Sequence, residues 1–130
     1  VRRGYHQVRR KTQQRQAIRE ALQEADRPLS PQEIHEGAGR SVEGLGIATV
    51  YRNVKAMVEE GYLRAVELPG APSRYELAGK EHHHHFHCRR CDRVFEVEEC
   101  PGSLRDLAPE GFEPESHEII LYGLCPECAA

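Results

Sequence analysis

The chain has 130 residues, 38% of them hydrophobic and 30% charged, with a formal net charge of −3. That length suits one ordinary domain or two small ones, and the composition excludes a disordered chain. No apolar run approaches the roughly 18 residues of a membrane span, and no charged n-region followed by an apolar h-region points to secretion, so a cytoplasmic protein is expected.

The net charge hides an asymmetry. Residues 1–64 hold 12 Lys and Arg against 8 Asp and Glu, whereas residues 65–130 hold 6 against 13. The densest basic cluster is Arg2, Arg3, Arg9, Arg10, Lys11, Arg15 and Arg19. It suits a polyanion such as nucleic acid or, taken alone, a solvated helix face. In chain order, residues 12–25 are predicted to form a helix capped by Thr12, with Ala17, Ile18, Ala21, Leu22 and Ala25 as its apolar stripe. Ser30-Pro31-Gln32-Glu33 is a capping box with Pro at N1, and it opens a second helix. A third helix is predicted from Ala48 to Glu60, started by Thr49 or the residues just before it and stopped by Gly61. Val50, Val54, Met57 and Val58 form its inner face, and Tyr51, Arg52 and Lys55 its outer one. Three short helices, the last polar and basic outside, fit a helix-turn-helix or a plain helical bundle. Strands at 62–68 and 73–77 would then add the hairpin of a winged helix.

Residues 79–81 are a predicted hinge. Beyond it, strands are expected at 84–88, 94–97 and 118–122, with a short helix at 103–107. The fold class is therefore α+β: a winged-helix domain over 1–78 and a small α/β metal-binding dimerisation domain over 82–130. The second domain has few apolar residues, so ligation and dimerisation are expected to complete it.

Five cysteines are present, and four stand in two Cys-x-x-Cys pairs: Cys88 with Cys91, and Cys125 with Cys128. Two such pairs can close a tetrahedral thiolate site, for which redox-inert Zn²⁺ is the best fit; two redox dithiols are the alternative. Arg89, Arg90 and Arg93 are placed to offset the charge of four thiolates. The run His82–His85 gains meaning on a strand, because side chains alternate between faces. His83 and His85 then share one face and His82 and His84 the other, so one run can feed two metal sites. His117, Cys100, Glu76, Glu96, Glu81 and Glu67 are candidates for the further ligands. His87 has no assigned role beyond a polar strand position.

These residues resemble the ferric uptake regulator family. Gly46-Ile47-Ala48-Thr49-Val50-Tyr51-Arg52 looks like its recognition-helix signature. Arg74-Tyr75-Glu76-Leu77, the histidine run, Cys88-Arg89-Arg90-Cys91 and Tyr122-Gly123-Leu124-Cys125-Pro126-Glu127-Cys128 continue the match in order, over about residues 8–128. The resemblance implies a homodimeric, metal-responsive repressor that binds a palindromic operator on double-stranded DNA. It implies DNA contacts from Tyr51 and Arg52, to which the basic face adds Arg15, Thr49 and Lys55. It implies structural zinc on Cys88, Cys91, Cys125 and Cys128. It implies a regulatory site at the hinge from Glu76, His83 and His85, with Glu96 or Glu67 as candidates to complete it, and a second site from His82, His84 and His117.

The departures from the family bear on the metal. Pro28 stands where many iron and peroxide regulators have a His. His84 stands where iron-type members carry Asp. Ala78 lies where zinc-type members have a Cys. Counted back from His117, Cys100 takes the place of a Glu ligand; counted forward from Cys91, Ser103 does. Imidazole and thiolate in place of carboxylate favour zinc over iron or manganese as the regulatory cofactor. The alternatives are an iron- or manganese-responsive or peroxide-sensing regulator of the same fold and, in another class, a metal storage or chaperone protein. No enzyme is expected: Leu124 rather than Pro precedes Cys125 and no His-x-Glu occurs, so the zinc deaminase pattern is absent.

Overall fold

The computed structural model describes residues 2–130, with side chains from Val8 onward. The side chains of Arg2 and Arg3 lie outside the described residues. The chain divides into two compact units, Val1–Gly79 and Lys80–Ala130.

The first unit contains α1 (Arg2–Ala25), α2 (Pro31–Ala38), α3 (Ile47–Glu59), β1 (Leu63–Val66) and β2 (Arg74–Leu77). The helix expected from Thr12 begins far earlier, and Thr12 caps nothing. Its Oγ1 donates to the Val8 carbonyl at 2.9 Å, one turn back inside α1, the alternative use of a hydroxyl in a helix interior. The capping box of α2 is complete: Ser30 Oγ accepts from Glu33 N–H, and the Glu33 carboxylate accepts from Ser30 N–H. Gly37 sits so close to α1 that an added Cβ would come within 2.9 Å of the Ala21 Cβ.

Gly46, not Thr49, caps α3, and it offers no side-chain bond. Gly61 ends it at φ 85°, with Tyr62 N–H returning to the Met57 carbonyl at 2.8 Å. The strands β1 and β2 pair antiparallel from Leu63↔Leu77 to Val66↔Arg74. They are shorter than expected at the turn. Leu29, between α1 and α2, adds an isolated bridge to Tyr75, so the hairpin is sewn back to the helices. Ile18, Ile34, Val50 and Met57 are fully buried at the centre, and each contributes about 2 kcal/mol by leaving water.

The second unit contains β3 (His84–Cys88), β4 (Val94–Val97), a 3-10 turn over Gly102–Leu107, β5 (Ile120–Gly123) and α4 (Pro126–Ala129). The sheet order is β4-β3-β5. β4 runs antiparallel to β3, and β5 runs parallel to it from His85↔Ile120 to Cys88↔Gly123. β3 and β4 lie where the alternation put them. The helix expected at 103–107 tightens into the 3-10 turn, and β5 starts two residues later than expected. The terminal turn α4 carries no amphipathic signal and was not anticipated. Among the described residues no helix is long and apolar enough to cross a membrane.

Candidate metal centres and nucleic-acid face

The outer face of α3 presents Tyr51, 47% exposed, with Arg52 and Lys55 also exposed. Two of these side chains are held in place. Gln32, in the first turn of α2, donates to the Tyr51 hydroxyl at 3.1 Å. Arg52 Nη2 donates to Thr49 Oγ1 at 3.0 Å. From inside, buried Asn53 donates to Gln14 of α1 and to the Thr49 carbonyl. Arg15, expected on the same face, has a protein partner. Its guanidinium grips the Glu60 carboxylate through both Nη atoms, at 2.5 and 3.2 Å, and its side chain is largely covered. Arg15 thus fastens α1 to the end of α3, and a phosphate contact from it would cost that ion pair. Sequence spacing gave no sign of that partner, 45 positions away.

In the second unit the four paired cysteines meet, their sulfurs all within 4.8 Å of one another. Asp92, at φ 65°, closes the first turn and its N–H donates to the Cys88 carbonyl at 3.0 Å. The second turn is the start of α4, where Cys128 and Ala129 N–H both return to the Cys125 carbonyl. Cys91 and Cys125 sulfurs lie 3.8 Å apart, matching the edge of about 3.8 Å in a tetrahedron with Zn–S bonds of about 2.3 Å. The donor set therefore fits zinc. The sulfurs are electrostatically inequivalent. Cys91 N–H, opposed by burial and joined by Cys125 and Arg90 N–H, brings the Cys88 thiol down to about 5. Burial, with the three neighbouring sulfurs, pushes Cys128 up to about 12. Without a cation, then, negative charge on one sulfur opposes charge on the others.

The three arginines expected to neutralise that charge fasten the turns. Arg89 lies over the Tyr122 ring at 5.3 Å. Arg90 donates to the Cys128 carbonyl at 3.1 Å, and Arg93 pairs with Glu127 at 3.1 Å.

A second cluster joins His82, His84, Cys100 and His117. His82 Nε2 is 3.1 Å from both His84 Nε2 and His117 Nε2, and Cys100 Sγ is 3.0 Å from His117 Nε2. Zn–N bonds of about 2.0–2.1 Å give tetrahedral edges of about 3.3 Å, so this donor set also fits a small soft cation. Of the two alignments open for the fourth donor, the fold brings in Cys100. The centre is open on one side: His84 is 2% exposed, while His82 and His117 face solvent. Burial first, then the neighbouring imidazoles His82 and His117, hold His84 below the ordinary imidazole range.

The remaining histidines of the run are His83, just before β3, and His85 within it, their rings 4.9 Å apart. His83 Nδ1 donates to the Glu81 carbonyl at 2.7 Å, which fixes the ring proton on Nδ1. Glu96, expected as a ligand beside them, pairs with Lys80 of its own unit. Metal ligation by Glu96 would cost that ion pair. Glu76, in the first unit, is buried and lies 3.9 Å from Arg64 Nε. Glu67 accepts from Ser73 Oγ at 2.8 Å in the β1–β2 turn. His87 bonds Asp92 at 2.6 Å and so serves the first cysteine turn. Gln32, Asn53 and Lys80 are the partners that sequence reasoning missed, because only tertiary contact reveals them.

The profile of the ferric uptake regulator family matches residues 7–122. The chain is 34% identical to a zinc uptake regulation protein of Mycobacterium tuberculosis, over 92% of this chain and 94% of that one. It is 32% identical to a ferric uptake regulation protein of Campylobacter jejuni, over 90% and 78%. Among solved structures, a zinc-bound manganese uptake regulator superposes with a TM-score of 0.77 at 28% identity, covering 86% of this chain and 87% of the other.

Proposed function

The chain belongs to the ferric uptake regulator family of metal-responsive transcription regulators, and from that premise we propose that it is a zinc-responsive repressor. It acts in the cytoplasm without enzymatic activity, as a homodimer on a palindromic operator controlling metal homeostasis genes. The observation that carries the zinc reading is the thiol of Cys100 set 3.0 Å from His117 in the histidine centre. Three imidazoles and one thiolate form a tetrahedral, borderline-soft set that suits zinc better than iron or manganese. The 34% identity to a zinc uptake regulation protein supports the same assignment.

The roles divide by donor chemistry. Cys88, Cys91, Cys125 and Cys128 hold structural zinc. His82, His84, Cys100 and His117 hold the exchangeable ion. Glu76, His83 and His85 are, from the sequence pattern, a regulatory set flanking the hinge. Bound metal supplies positive charge that lets these donors converge. Ligands on both sides of a hinge favour those arrangements in which they meet, and the population shifts only by the difference in affinity between arrangements. The productive arrangement sets two recognition helices about 34 Å apart, one turn of DNA. Tyr51 and Arg52 then approach bases, while Arg9, Arg10, Lys11 and Lys55 approach phosphates, so operator affinity falls steeply with salt.

The test is operator affinity by fluorescence anisotropy at matched free Zn²⁺, Fe²⁺ and Mn²⁺, with Cys100→Ser alongside. Zinc should support binding at the lowest free-ion level, and Cys100→Ser should raise the zinc level required by at least about tenfold. Equal response to the three ions, or no effect of the substitution, would sink the zinc assignment.

A further inference from the structure

His83 and His84 are neighbours in sequence with opposite hydrogen-bonding at Nδ1. His83 Nδ1 faces the Glu81 carbonyl at 2.7 Å and therefore carries a proton. His84 Nδ1 instead accepts from the Ile119 N–H at 3.1 Å. A neutral imidazole that accepts at Nδ1 must carry its proton on Nε2. For His84 that is the nitrogen turned into the metal centre, 3.1 Å from His82 Nε2. In this arrangement His84 donates a hydrogen bond into the cluster, and its lone pair serves the backbone.

The two uses of the ring exclude each other. Ligation through Nε2 needs a lone pair there, which puts the proton on Nδ1, opposite another donor. Two N–H groups cannot share 3.1 Å without the loss of a buried hydrogen bond. The ring has little freedom to turn aside, because His84 is 2% exposed. Ile119 is the part that can give. It immediately precedes β5, and its carbonyl accepts from His85 N–H at 3.1 Å. His117, another member of the centre, lies two residues before it. β5 is an edge of the sheet and carries exposed Leu121 and Tyr122.

We propose that His84 is shared between the metal centre and the start of β5, so that filling the centre through His84 Nε2 releases the Ile119 amide and loosens the first residues of that strand. The proposal rests on the reading of His82, His84, Cys100 and His117 as a metal site. It goes beyond that reading in making β5 the element that reports occupancy.

The test uses the full chain, ¹⁵N-labelled, with zinc already on the four cysteines. Long-range ¹H–¹⁵N spectra assign the His84 tautomer, and hydrogen exchange follows the Ile119 amide, before and after further zinc is added. Before addition, His84 should be protonated at Nε2. After it, the proton should be on Nδ1, and Ile119 should exchange up to about tenfold faster, the scale of one lost hydrogen bond. If further zinc binds while Ile119 keeps its protection, or while His84 keeps its proton on Nε2 or loses both protons, the coupling is wrong and the site reading stands. If no further zinc binds at all, the site reading fails and takes the coupling with it.

Discussion

Ile18, Ile34, Val50, Val54 and Met57 lead the large side chains withdrawn from water in the first unit, with Pro28 and the acid Glu76 also buried there. In the second they are His84, His85, Cys88 and Cys125, with Val94 the only aliphatic residue among the described residues buried there. The first unit has an apolar core that pulls three helices and a hairpin together without help. The second has put donor atoms where a core would be, and donors that close repel or must be protonated unless a cation sits among them. Large apolar groups remain outside: Leu107 and Phe112 are 78% and 69% exposed. The contrast teaches that in one short chain a fold can be set by hydrophobic burial and, next to it, by ligation.

The sharpest way to break this contrast is to remove zinc. Chelation, or Cys88→Ser, should abolish hydrogen-exchange protection in β3, β4 and β5 while α1, α2 and α3 keep theirs, because the ligand set supplies folding free energy only to the second unit. Uniform loss of protection across both units would show that the first also depends on the metal. Next in size is the reverse experiment. Ile34→Ala should cost the first unit about 2–5 kcal/mol in thermal or denaturant unfolding and leave zinc content unchanged. A fall in bound zinc would contradict the division.

The smallest effects belong to the caps. Ser30→Ala should cost about 1 kcal/mol in the first unit alone. Glu33 sharpens the same point through pH. Against the cost of burial, hydrogen bonds from Arg27 and the Ser30 N–H hold its carboxyl below the ordinary 4.5. A lowered folded-state value means the stabilisation is full above about 4.5 and is lost as pH falls through the folded value. Wild type should therefore lose stability on acidification below pH 4.5 more steeply than Glu33→Gln, measured by thermal melting of the first unit. Parallel curves for the two would show that Glu33 is no part of the acid response.

Legibility in the sequence followed the same divide between local and distant causes. The capping box at Ser30 and the alternation at 84–88 and 94–97 are local, and they appear where the residues put them. The start of α1 did not, because residues 2–11 show no apolar stripe at helical spacing and Thr12 looks like a cap in isolation. What overrides it is a hydroxyl bond to Val8, possible only once the earlier turn exists. The Glu60 partner of Arg15 was not legible, because nothing near Arg15 in sequence announces it. At the centres, the paired cysteines and the two faces of the histidine run were legible from spacing. Cys100 was favoured over Ser103 by its thiol and by counting back from His117, but spacing alone did not fix it, since the segment from 98 to 119 follows no regular period.

That same segment leaves β4 at one end, returns as β5 at the other, and holds only one short 3-10 turn between. Both ends are moored by strands flanking β3, and closing a longer or shorter span between fixed moorings changes the free energy only slightly. Insertions or deletions between Cys100 and His117 therefore leave the four thiols in place while changing the span that carries two members of the histidine centre. The choice of donor at that centre is thus carried by a stretch on which neither the sheet nor the cysteine cluster depends.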